Sequence, residues 1–71
     1  MRFAYLVPYQ NGSFVLKIYG LAVDMYLTSR GDATHTIANA KLFSGNTRTN
    51  DAVLFLRSVH YIYVDVDDVK K

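Results

Sequence analysis

Seventy-one residues, 51% hydrophobic and without a cysteine, make one small domain that no disulfide or thiolate metal cluster can reinforce. A chain of this size buries only about 60% of the surface its unfolded form exposes, so its core leaves a thin margin and self-association as a homodimer is expected. The apolar fraction excludes a disordered chain, and the formal charge of +2, from eight Lys or Arg against six Asp and no Glu, is compatible with nucleic acid without demanding one.

At the N-terminus, Arg2 precedes an apolar run that breaks at Pro8. It lacks the length and the small-residue cleavage site of a signal peptide. No stretch approaches the roughly 20 apolar residues of a membrane span. A cytoplasmic location is expected, the host cell's cytoplasm if the source is a virus. Arg2 to Leu21 then organises the rest. Asn11-Gly12 between two apolar runs is a strong hairpin signal. Centred there, the strands pair residues whose numbers sum to 23. Tyr9 faces Phe14, Val7 faces Leu16, Tyr5 faces Ile18 and Phe3 meets Gly20, all on a core face. The other face, with Leu6 and Lys17, Ala4 and Tyr19, Arg2 and Leu21, is mixed. Pro8 lacks an N–H, so a four-residue loop that turns position 8 outward is preferred to a two-residue loop. An outward Pro8 also marks the first strand as an edge, or as bulged there. Asn11-Gly12-Ser13 matches the glycosylation sequon, read here as a turn.

After Gly20 the apolar alternation changes phase, from Phe14, Leu16 and Ile18 to Leu21, Val23, Met25 and Leu27. A glycine at such a flip points to a bulge or a sharp bend. Strand is favoured over 21–30; the rival is a helix ended by Gly31. Ser29 to Asp32 is a turn. Its Arg-Gly-Asp matches an adhesion tripeptide that three residues meet by chance. Ala33 to Phe43 carries both periodicities. Ser44 to Asp51 is eight polar residues and reads as a loop.

Ala52 to Val66 is the most apolar stretch and breaks near Arg57-Ser58. Its end reads as a strand with Ile62, Val64 and Val66 on one face and Tyr61, Tyr63 and Asp65 on the outer face. Its start is a strand, or a short helix over 51–58 capped by Asn50 or Asp51 that packs Ala52, Phe55, Leu56 and Val59. Residues 67–71 form a charged, frayed tail. Val, Ile, Thr, Tyr and Phe supply 26 of the residues, which pushes the chain toward β structure. The expected fold is all-β or β-rich, a small antiparallel barrel or curved sheet built on the N-terminal hairpin. The alternative is α+β with that one helix.

No residue pattern carries chemistry. His35 and His60, the only histidines, share no ligand spacing, so no metal is assigned. No Gly-x-Ser-x-Gly elbow and no glycine-rich phosphate loop occurs. No RNA-recognition, cold-shock or zinc-finger signature is present either. An enzyme and a cofactor are not expected. One pattern remains: tyrosines interleaved with cations. Tyr19, Arg57, Tyr61 and Tyr63 are the candidate partner contacts if the faces are continuous. The same tyrosines with Arg2, Lys17 and Arg48 would stack bases and meet phosphates in a single-strand nucleic-acid binder. Leu6, Val15 and Leu21 on that face suit a protein partner better. The favoured expectation is therefore a small non-enzymatic protein-binding module. Its size and economy suit a virus- or mobile-element-encoded inhibitor or modulator of a host protein.

Overall fold

A computed structural model describes residues 2–69 of the chain. In chain order the elements are β1 (Arg2–Pro8), β2 (Phe14–Ile18), β3 (Tyr26–Leu27), β4 (Ala33–Thr34), a 3-10 turn (Ile37–Asn39), α1 (Arg48–Ser58), β5 (Tyr61–Tyr63) and α2 (Val66–Val69). They form one five-stranded sheet in the order β4-β3-β2-β1-β5. All pairings are antiparallel except β5, which lies parallel to β1. The result is a β-rich α+β domain with an open, mixed sheet rather than a closed barrel. Parallel pairing of β1 and β5 requires a crossover. The long excursion through β2, β3, β4 and α1 supplies it.

The hairpin forms where the Asn-Gly signal placed it, but one residue out of the expected register. Asn11 and Gly12 both have positive φ, 53° and 74°, the backbone of a type I′ turn. The Ser13 N–H donates to the Gln10 carbonyl at 2.8 Å and closes that turn. The Tyr9 N–H also donates to the Ser13 carbonyl, at 2.9 Å. Two residues of the first strand thus oppose one of the second, which is a β-bulge. Beyond it Leu6 faces Leu16, Val7 faces Val15 and Ala4 faces Ile18. The expected four-residue loop is replaced by a two-residue turn with a bulge beside it.

The shift changes which face of β1 is inside. Ala4 and Leu6 are buried, whereas Phe3, Tyr5 and Val7 lie on the opposite face. On β2, Leu16 and Ile18 are buried as expected. Lys17 stays off the core, because the bulge reassigns β1 and not β2. Pro8 opposes Phe14, whose N–H and carbonyl bond instead to Phe43 at 2.7 and 2.8 Å. No donor is needed from position 8 within the hairpin. On its other side β1 is paired to β5 only over Arg2 to Ala4, so Pro8 sits on a free edge.

From Leu21 onward the strand expectation holds only for Tyr26–Leu27. Gly20, at φ +87°, makes the anticipated bend. The odd-numbered phase then splits: Leu27 is fully buried, Met25 packs against the core, and Leu21 and Val23 are exposed. Ser29 to Asp32 is the expected turn, held from Thr28, whose hydroxyl accepts from the N–H groups of Arg30 and Asp32.

The polar loop is shorter than its composition implies. Residues 48–51 belong to α1, which begins before the expected 51–58 span. The Thr47 hydroxyl donates to the Asp51 carboxylate at 3.1 Å, and Asp51 lies in the first turn, where a negative charge suits the helix dipole. The Arg48 guanidinium stacks 4.3 Å above the Phe14 ring. These side-chain contacts outweigh the modest helix propensity of Thr49, Asn50 and Asp51; the N-cap is Thr47, with no side-chain capping bond, rather than the expected Asn50 or Asp51. The predicted apolar face does the packing: Ala52 and Leu56 are buried, with Phe55 and Val59 beside them. They close over Ala4, Leu6, Leu16, Ile18, Leu27, Phe43 and Tyr61. Residues 66–69 form a turn of helix against β1 where a frayed tail was expected; the rest of that tail, 70–71, lies outside the described residues.

Candidate functional site

Where β1 begins and β2 ends, the core is left open on one side. The Arg2, Ile18, Tyr19, Leu21, Met25, Ala33 and Tyr61 side chains line a cleft of about 400 Å³ there. The topology explains the convergence. Arg2 starts β1 directly opposite Tyr61, the first residue of the parallel β5. Ile18 ends β2, and Gly20 turns the chain so that Leu21 comes back over the opening. Met25 returns on the far side, its carbonyl accepting from the Ile18 N–H at 2.9 Å.

The cleft is apolar with one polar end. An Arg2 N–H donates to the Tyr61 hydroxyl oxygen at 3.4 Å, and the guanidinium lies 6.0 Å from the Tyr61 ring centre. Among the described residues no carboxylate lines the cleft. Its rim is apolar as well: Tyr19 and Leu21 are each 48% exposed, and Val23, two residues further along the bend, is 56% exposed. Single exposed hydrophobic residues are ordinary, but a contiguous set beside a concavity marks a contact surface.

Three of the residues singled out in the sequence, Arg2, Tyr19 and Tyr61, meet here. Tyr61 and Tyr63 do not form an outer face. They were expected on the outer face of the last strand, yet Tyr61 is 9% exposed and belongs to the core while Ile62 is 40% exposed. The alternation was read correctly, but its two faces were exchanged. Tyr63 packs against the core. Burial there, reinforced by the Asp65 charge and tempered by Thr49 and Arg48, raises its phenol above the ordinary tyrosine range.

The remaining candidates are scattered. Lys17 lies on the sheet face away from α1, opposite Tyr5 and Tyr26. Its ammonium is 3.0 Å from Asp24, and that bond above all holds its pKa above the ordinary lysine value. Tyr19 reaches the same face, its ring edge-on to Tyr5 with centres 6.3 Å apart. Arg48 covers Phe14 and donates to the Gly45 carbonyl at 3.0 Å. Arg57 is exposed in the last turn of α1. The continuous tyrosine platform with a cationic rim, expected from the hairpin and the last strand together, does not form.

Val23 and Met25 were missed, and Leu21, though placed on the partner face, was not named as a contact. The signal was present: an apolar run restarting after the Gly20 phase flip, with no partner strand identified for it. His35 and His60 are exposed. Among the described residues no three metal-capable side chains gather, and no helix is long and apolar enough to cross a membrane. No protein-family model, curated protein or solved structure matches this chain.

Proposed function

We propose that this domain is a non-enzymatic binding module that acts by occupying the surface of another protein. One observation carries the reading. Tyr19, Leu21 and Val23 stand exposed on a single bend, and two of them rim a cleft that opens toward the core. Large apolar and aromatic side chains around a pocket, with one arginine, form the composition on which protein interfaces concentrate their binding energy. A module of this kind modulates its partner by steric blockade, as a virus- or mobile-element-encoded inhibitor would. The single-strand nucleic-acid reading loses support from the positions of its cations. Lys17 is paired with Asp24 and Arg48 is stacked on Phe14, which leaves Arg2 alone among the three open to an anion. A backbone-tracking groove needs such groups aligned and facing solvent.

The test compares the immobilised domain with a Leu21→Asp/Val23→Asp variant as baits in cell lysate. Both positions are exposed, so the variant should keep the wild-type melting temperature. The expected result is one dominant protein held by the wild type, lost from the variant and indifferent to nuclease. Nuclease-sensitive recovery, or equal recovery by both baits, would overturn the proposal.

A further inference from the structure

We infer that the end cleft receives the C-terminus of a partner polypeptide whose last residue is large and apolar. The inference rests on the protein-binding reading and specifies what the site recognises.

The polar end of the cleft is built for an anion. Because the Arg2 guanidinium donates to the Tyr61 oxygen, the phenolic hydrogen is directed elsewhere and is available as a donor. The other guanidinium N–H groups form no ion pair with any described residue. A carboxylate placed beside them accepts from both residues, and charge-assisted bonds of this kind are the strong ones. No lining residue carries a negative charge to oppose it.

The apolar walls stand next to that polar end. Ile18 and Met25 belong to the core or pack against it, and Leu21 and Tyr19 form the lips. A ligand that bonds Arg2 and fills this space must carry an apolar group within a few bonds of its carboxylate. The α-carboxylate of a terminal Leu, Met or Phe has that geometry. The volume of about 400 Å³ lies near the lower end of the usual range for ligand clefts, so one or two residues fill it. Two of its lining residues, Tyr19 and Leu21, belong to the exposed Tyr19–Val23 bend. An occupant that continues across that strip is a chain, and this favours a polypeptide end over a free organic acid.

The experiment titrates isotope-labelled domain with three probes and follows backbone amide shifts. The first is the acetylated peptide Gly-Ser-Gly-Phe with a free C-terminal carboxylate, the second is its C-terminal amide, and the third is 4-phenylbutyrate. The expected result is saturable shifts confined to residues 2, 18–25, 33 and 61 with the free acid. The amide should bind at least about tenfold more weakly, and so should Arg2→Gln with the acid, the loss of one charge-assisted contact. Phenylbutyrate should also bind more weakly than the peptide acid. Equal affinity for acid and amide would overturn the carboxylate role. Phenylbutyrate matching the peptide would overturn the polypeptide assignment. Shifts elsewhere, or none, would overturn the site. Failure here with lysate capture still lost in Leu21→Asp/Val23→Asp would leave the protein-binding reading in place.

Discussion

Three single residues carry backbone or electrostatic demands that a measurement can isolate. Gly31 has φ +88°, and a Cβ there would sit 2.6 Å from a Val59 methyl carbon. Gly31→Ala should cost about 1–2 kcal/mol for the left-handed backbone and about 1–3 kcal/mol for the overlap. A thermal melt within a degree of wild type would refute that contact. His60 also has positive φ, 65°, just past the end of α1, where glycine is the usual residue. His60→Gly should raise stability by roughly 0.5–1 kcal/mol in a denaturant titration. Tyr63 is held above the ordinary tyrosine pKa chiefly by burial, so its phenolate is costlier in the fold than in the unfolded chain. Its contribution is complete below the unfolded value and is lost as pH rises through the folded value. The melting temperature should therefore stay level to about pH 10 and fall beyond it. Tyr63→Phe should remove part of the fall, the remainder including the raised Lys17 of the Asp24 pair. Superimposable profiles would show that Tyr63 ionises freely in the native state.

At the scale of elements, the hairpin is the sharpest case. Both faces of β1 are rich in apolar residues, so its hydrophobic pattern specifies register weakly, and the bulge beside the turn decides. The Tyr9–Gln10 bulge places Leu6 opposite Leu16 and buries both. Leu6→Ala and Leu16→Ala should each cost about 2–5 kcal/mol, enough to unfold much of a domain this size. Lys17→Ala should cost no more than about 1 kcal/mol, as expected of a partly exposed ion pair. The cross-strand partner of Leu16 is directly visible: a strong Hα–Hα Overhauser contact to Leu6 is expected in this non-hydrogen-bonded pair. The same contact to Val7 would restore the register read from the turn alone. For α1, the apolar positions Ala52, Phe55, Leu56 and Val59 were legible by their spacing. Its first turn was not, because Arg48 and Asp51 are held by Phe14 and Thr47 rather than by propensity.

For the molecule as a whole, one face of the sheet packs against α1, and the other carries Phe3, Tyr5, Val7, Lys17, Tyr19 and Tyr26 half-covered by one another. Val15, on that second face, is nonetheless fully buried. The second face therefore buries Val15 but stays partly open, with Tyr19 exposed and the Lys17–Asp24 pair at the surface. We propose that any homodimer forms through the Leu21–Val23 bend rather than through this face. Light scattering at micromolar concentration should then give a monomer mass for Leu21→Asp/Val23→Asp, whatever the wild type shows. A dimeric variant would place the contact elsewhere.

The sequence by itself determined the place of the hairpin at Asn11-Gly12, the bend at Gly20, the apolar stripe of α1 and the β-rich character of the domain, because each rests on propensities or contacts close along the chain. Local pattern also picked out Arg2, Tyr19 and Tyr61. Only the tertiary structure decided the register, since an apolar strand fits either way up and one bulge chooses between them. It likewise decided which side of β5 is inside, since Tyr-Ile-Tyr alternates equally well in both senses until α1 covers one face. The cleft itself belongs to no local pattern. It exists because residues 2 and 61 start parallel neighbouring strands, while the bend after residue 20 leaves Leu21 and Val23 uncovered beside them.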